Sequence, residues 1–173
     1  MAVYTKVSAE TLAHFLTDYD VGPLRSFKGI AEGVENSNYL VETGPKHDGQ
    51  ASQRFILTLY EKRVDADDLP FFMALLDHLA ARGCPVPRAL PDSNGAQIRS
   101  LCGRPTCLIE FLEGVSISDP TTAQAHAAGA ALGKMHRATM DFQGKRANSM
   151  GLASWHALAE QCAGHWQDID PEL

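Results

Sequence analysis

GIAEGVENSNY, residues 29–39, is the stretch on which the reading of this chain turns. Gly29 and Gly33 stand four apart, and the polar run Glu35, Asn36, Ser37, Asn38 follows them. β-prone apolar segments flank it, Leu24 to Ile30 before and Tyr39 to Val41 after. A strand–loop–strand hairpin is predicted, and its loop has two readings. Glycine lacks a Cβ, so backbone N–H groups around Gly29 and Gly33 can turn toward one point, as a phosphate-holding loop requires. Asn36 and Asn38 can fix the shape of such a loop by bonding their own backbone. The same residues also describe an ordinary surface turn, and the stretch alone does not choose between them.

Outward from the hairpin, the apolar spacing sets an order of elements. Residues 8–19 read as a helix capped by Ser8, with Leu12, Phe15, Leu16 and Tyr19 on one face. Strands are expected at 24–30, 37–43 and 54–62, the last two joined by the polar loop GPKHDGQASQ. A helix at about 68–82 has Asp67 or Asp68 as its cap and Pro70 in its first turn, and it buries Leu69, Phe72, Leu75, Leu76 and Leu79. Gly83 and Cys84-Pro85-Val86-Pro87 end it. Two further strands, near 96–101 and 105–112, flank the turn Cys102-Gly103-Arg104. Asp119-Pro120 is expected to open an alanine-rich helix running to about 139, and a last helix lies around 153–166.

Short turns and polar loops between strands imply antiparallel neighbours. The fold class is therefore α+β: a five-stranded antiparallel sheet carrying one helix, followed by helices only. That order matches a protein-kinase-like fold, with a small lobe at 1–112 and the hinge and first helices of a large lobe at 113–173.

Composition excludes several function classes. The chain has 173 residues, 45% hydrophobic, enough for a core. It carries 15 basic against 21 acidic residues, a net charge of −6, and no basic run longer than two, which speaks against a nucleic-acid surface. No apolar run approaches the roughly 18 residues of a membrane span, and the N-terminus shows no basic-then-apolar leader. The four cysteines form no CxxC pair and read as reduced thiols of a cytoplasmic protein. His156, Cys162 and His165 fit no zinc spacing, and Asp65, Asp67 and Asp68 are explained as capping charges, so no metal ligand is assigned.

The segments SFKGIAEGVENSNYLVET, FILTLYEKR, DDLPFFMALLDHLAARG, CPVPRAL, GRPTCLIEFLEG and ALGKMHRA together resemble the homoserine kinase family (type II). That family lies within the aminoglycoside-phosphotransferase/choline-kinase-like superfamily. The resemblance runs over residues 1–166. It implies ATP-dependent phosphorylation of L-homoserine to O-phospho-L-homoserine in threonine biosynthesis, with ATP bound between two lobes and Mg²⁺ required by the chemistry. Another small-molecule kinase of the aminoglycoside or choline type is the enzyme alternative, and a non-catalytic nucleotide-binding module is the alternative outside enzymes.

On the resemblance, ATP falls to Gly29, Gly33, Val34, Glu35, Asn36, Ser37 and Asn38 of the loop. LIEFLEG becomes the hinge, where backbone groups of Glu110 and Leu112 would meet an adenine edge; a buried edge strand and turn fits the same residues. Two departures stand out. Kinases place a lysine on the third strand and a glutamate on the next helix, and here those positions hold Thr58 and Phe72. Their joint loss is coherent, because one buried charge left alone costs several kcal/mol. Lys62 or Arg63 is expected to supply the phosphate-facing charge, Lys62 by strand alternation from Thr58; a solvated charge pair at a strand end is the plainer reading. Secondly, no HxD triplet exists among the seven histidines. No catalytic residue is assigned in this chain, which is expected to correspond to the first half of such an enzyme, with the C-terminal half of its own chain as missing partner.

Overall fold

The computed structural model describes residues 3–31, 33, 35–47, 49, 51–62 and 64–168. The elements are α1 (Ala9–Leu16), β1 (Leu24–Gly29), β2 (Asn36–Thr43), β3 (Gln53–Tyr60), α2 (Leu69–Ala81), β4 (Arg99–Leu101), β5 (Arg104–Glu110), α3 (Thr122–Ala138) and α4 (Leu152–Gln161). The strands form one sheet in the order β1-β2-β3-β5-β4, every neighbouring pair antiparallel. The expected α+β class and five-stranded sheet are present.

Burial along β2 alternates residue by residue, which gives the sheet two distinct faces. One face sends Tyr39, Val41, Phe55, Leu57, Leu59, Leu101 and Leu108 against Leu12, Phe15 and Leu16 of α1, with Tyr19 joining from beyond the helix end. Ser8 starts α1 as expected, its Oγ accepting from Thr11 N at 3.1 Å. The other face carries a smaller cluster under α2, built on Met73, Ala89 and Cys107 with Tyr60, Phe72, Leu76 and Ile109 around it. α2 thus covers the β3–β5 side of this second face, and the β1–β2 side remains partly exposed.

Several element ends differ from expectation, each for a local reason. β3 stops at Tyr60 because its partner β2 begins at Asn36, the residue opposite. α3 opens on Thr121, not on Asp119-Pro120. Thr121 Oγ1 accepts from Gln124 N, and Gln124 Oε1 accepts from Thr121 N at 2.8 Å. This capping box satisfies two backbone donors reciprocally. Asp68 heads α2 without a side-chain bond; the capping carboxylate is Asp65, which accepts from Asp67 N and opens the 3-10 turn Ala66–Asp68. The last helix ends at Gln161, short of 166. Gly164, at φ +84°, separates it from the 3-10 turn Trp166–Asp168.

α2 also anchors the helical part. His78 Nε2 lies 2.8 Å from Ala138 O, Arg82 pairs with Asp141, and Phe142 meets Phe71 and His78 edge-on. Arg146 pairs with Asp68 at 2.6 Å and lies over the Phe72 ring. The four cysteines are free. Among the described residues no helix is long and apolar enough to cross a membrane.

Candidate functional site

The hairpin of residues 29–39 closes through Ile30 N donating to Asn38 O at 2.8 Å. Gly33 sits at φ +99° with nothing within 4 Å of where a Cβ would be. Its backbone is therefore exposed and takes a conformation that glycine adopts without strain. Glu35 is exposed nearby, and Val34 lies outside the described residues. Gly29 differs from Gly33. A Cβ there would stand 2.7 Å from Val3 Cγ2, so its missing side chain makes room for the N-terminal segment on the α1 face.

β2 divides the polar run between the two faces. Ser37 is fully buried on the α1 side. Its Oγ accepts from Tyr4 N at 2.8 Å and Thr5 N at 3.0 Å and donates to Glu61 Oε1 at 2.7 Å. Glu61 in turn pairs with Arg104 at 3.0 Å. Burial pushes the Glu61 pKa up, but hydrogen bonds from Thr5 and Ser37 and the Arg104 charge outweigh it, leaving the carboxyl below its ordinary value.

Asn36 and Asn38 point to the opposite face, the one that α2 covers in part. Thr58 stands opposite Asn38 and donates to its Oδ1 at 2.8 Å. Asn36 Oδ1 is buried and, among the described residues, has no hydrogen-bond partner. A buried amide oxygen without a donor is costly unless a ligand or water supplies one. Phe72, expected at the position of the kinase glutamate, packs in the apolar cluster under Arg146.

Lys62 is an exposed turn residue beyond the end of β3, so the strand alternation expected to align it with Thr58 does not reach it. Arg63 lies outside the described residues. A different lysine shares the face. Lys28 stands opposite Leu40, Leu40 opposite Ile56, and Ile56 opposite Ile109. It therefore lies one row from Asn38 and Thr58. Sequence reasoning missed it: counting in twos from Asn38 reaches Leu40, but the pairing of Leu40 with Lys28 is set by the hairpin register.

At the other end of this face, Glu110 N already donates to Arg88 O at 2.9 Å, and its carboxylate accepts from Arg88 N. Its backbone N–H is therefore used within the fold, which leaves the carbonyl as the Glu110 backbone group for the expected adenine contact. Leu112 is half exposed in the segment after β5. Arg54 pairs with Glu113 at 2.6 Å and lies 4.5 Å over the Phe111 ring, which ties this connector to β3. Among the described residues no group of three or more His, Cys, Asp or Glu could hold a metal ion, so those residues offer no ligand set for Mg²⁺.

Comparison with known proteins agrees with this geometry. The profile of the phosphotransferase enzyme family (APH) matches residues 26–172. A homoserine kinase of Zymomonas mobilis subsp. mobilis is 53% identical over 163 residues, covering 94% of this chain and 49% of the relative. A homoserine kinase of Nitrobacter winogradskyi is 51% identical over 173 residues, 100% of this chain and 51% of the relative. One from Rhodopseudomonas palustris is 51% identical over 163 residues, 94% and 48% respectively. The chain spans about half the length of the curated relatives it matches. A glycine hairpin at the root of a polar sheet face, a connector tied to β3 and a profile match over most of the sequence agree: the chain belongs to the phosphotransferase enzyme family.

Proposed function

We propose that this chain is the nucleotide-binding part of a cytoplasmic homoserine kinase, which transfers the γ-phosphoryl group of ATP to the hydroxyl of L-homoserine in threonine biosynthesis. The observation that carries the substrate is the identity of 51–53% with proteins named homoserine kinase. The sheet face with Asn36, Asn38, Thr58 and Lys28 supports the nucleotide side of the reading. Residues 1–112 form the small lobe, and 113–173 the hinge and the beginning of the helical lobe.

In this reading the loop from Gly29 to Asn38, which includes Gly33, Val34 and Glu35, holds the phosphates through backbone N–H groups. Asn36 and Asn38 present amides from β2, and Ser37 holds the loop root from behind. Lys28 supplies the positive charge that Thr58 does not, and Lys62 is a solvated surface charge. Leu40 and Ile56 lie under the adenine, whose edge meets the backbone beyond Glu110, at Leu112. Mg²⁺ supplies charge neutralisation at the β- and γ-phosphates when bound. Its ligands and the group that orients the attacking hydroxyl belong to the part of such a kinase outside the matched half. What this chain's own residues do is bind and orient the nucleotide.

The test is ADP release by the full-length protein supplied with ATP and, in turn, L-homoserine, choline and an aminoglycoside. Homoserine should be preferred by kcat/KM. A preference for choline or the aminoglycoside would transfer the site to the other small-molecule kinases.

A further inference from the structure

We propose that residues 3–7 act as a strap that positions the loop of residues 30–36 from behind, so that Val3, Ser37 and Glu61 set nucleotide affinity without touching the nucleotide. The inference rests on the ATP reading above. Both roots of the loop are gripped by the same short segment. Gly29, the last residue of β1, faces Val3, which fills the space where a Cβ would be. Ser37 accepts from Tyr4 N and Thr5 N. Tyr39, opposite Gly29 in the hairpin, donates to Thr5 O at 2.7 Å and accepts from Val7 N at 3.3 Å. Glu61 then joins Ser37 to Arg104 on β5, so the grip is tied to the far side of the sheet.

The loop needs such a hold. β1 is an edge strand paired on one side only, with β2. Gly33 at the crest has nothing within 4 Å of its Cβ position. Ordering a loop before the ligand arrives removes that entropy cost from binding. The strap lies on the α1 face, with Tyr39 and Ser37, and the amides of Asn36 and Asn38 lie on the other. Its members are positioning residues.

The test uses the full-length protein and four variants: Ser37→Ala, Gly29→Ala, Val3→Ala and the double variant V3A/G29A. Three quantities are read: hydrogen exchange of the loop amides, the Kd of a non-hydrolysable ATP analogue, and KM for ATP against KM for homoserine. Ser37→Ala and Gly29→Ala should each speed loop exchange and weaken the analogue about tenfold, as expected for loss of one buried contact or hydrogen bond. KM for homoserine should not change. Val3→Ala, which removes contact without a clash, should weaken the analogue less than Gly29→Ala does, and V3A/G29A should recover the behaviour of Val3→Ala, because the added methyl then has room. If Ser37→Ala fails to fold, the Val3–Gly29 pair decides alone. Wild-type exchange and affinity in Gly29→Ala would overturn the proposal, as would a double variant no better than Gly29→Ala. Faster exchange with unchanged affinity would also overturn it, leaving a brace without effect on binding. If the wild-type protein does not bind the analogue, the ATP reading falls, and loop exchange alone decides whether the strap holds the loop.

Discussion

Glu61 shows how much one residue in this fold depends on its neighbours. Its side chain is about 10% exposed, a setting that raises a carboxyl's pKa, yet Thr5, Ser37 and Arg104 hold it lowered. A carboxylate with a lowered folded pKa stabilises the fold above its unfolded pKa, and that stability is lost as pH falls through the folded value. Urea unfolding from pH 6 downward should therefore show wild-type stability falling more steeply than that of Glu61→Gln once pH passes below about 4. Parallel curves would contradict this. Lys28 and Lys62 make a second residue-scale contrast. Lys28→Ala should weaken binding of an ATP analogue by the full-length protein about tenfold, the effect of one charge-assisted contact. Lys62→Ala should change it less than about twofold. The reverse order would restore Lys62 to the site. The Asn38–Thr58 bond was not legible in the sequence, where Asn38 was expected to bond its own backbone, because it depends on the register between β2 and β3. Lys62 falls outside the strand expected to carry it, because the end of β3 depends on where β2 begins, which no composition rule around Lys62 reveals.

At the scale of elements, caps settled the boundaries. Asp119-Pro120 looks like a helix start, but Thr121 and Gln124 reciprocate across the first turn and win. Thr121→Ala should lower stability by about 0.5–2 kcal/mol, while Asp119→Ala should lie within about 0.5 kcal/mol of wild type; chemical denaturation of both variants checks the assignment. β1, β2 and β3 were legible from alternation to within two residues of their ends. α4 was placed correctly but drawn too long. Trp155 and Trp166 share a helical spacing in sequence, yet Gly164 turns the chain left-handed before Trp166.

For the whole molecule, the two faces of the sheet divide the labour. The α1 face is the deeper core, with Leu12, Leu57, Leu59 and Leu108 at 0% exposure. Leu57→Ala should cost about 2–5 kcal/mol, read from its denaturation midpoint. The α2 face is only partly filled and carries the polar residues. α3 has no buried residue among those described, and Leu132 on α3 and Trp155 and Leu158 on α4 stand exposed. The 173-residue chain contains no HxD triplet, so by itself it should release no ADP from ATP with homoserine. Homoserine-dependent ADP release would refute that.

The sequence by itself determined which segments are strands and helices, the antiparallel order and the family resemblance, because alternation, caps and turn glycines act over a few residues. Only the tertiary structure decided that Ser37 looks inward while Asn36 and Asn38 look outward. It also decided that Gly29 yields space to Val3, that Lys28 joins the polar face and that Glu110 spends its N–H on Arg88. Each of these depends on strand register or on contact between residues distant in the chain, and local propensity carries no information about either.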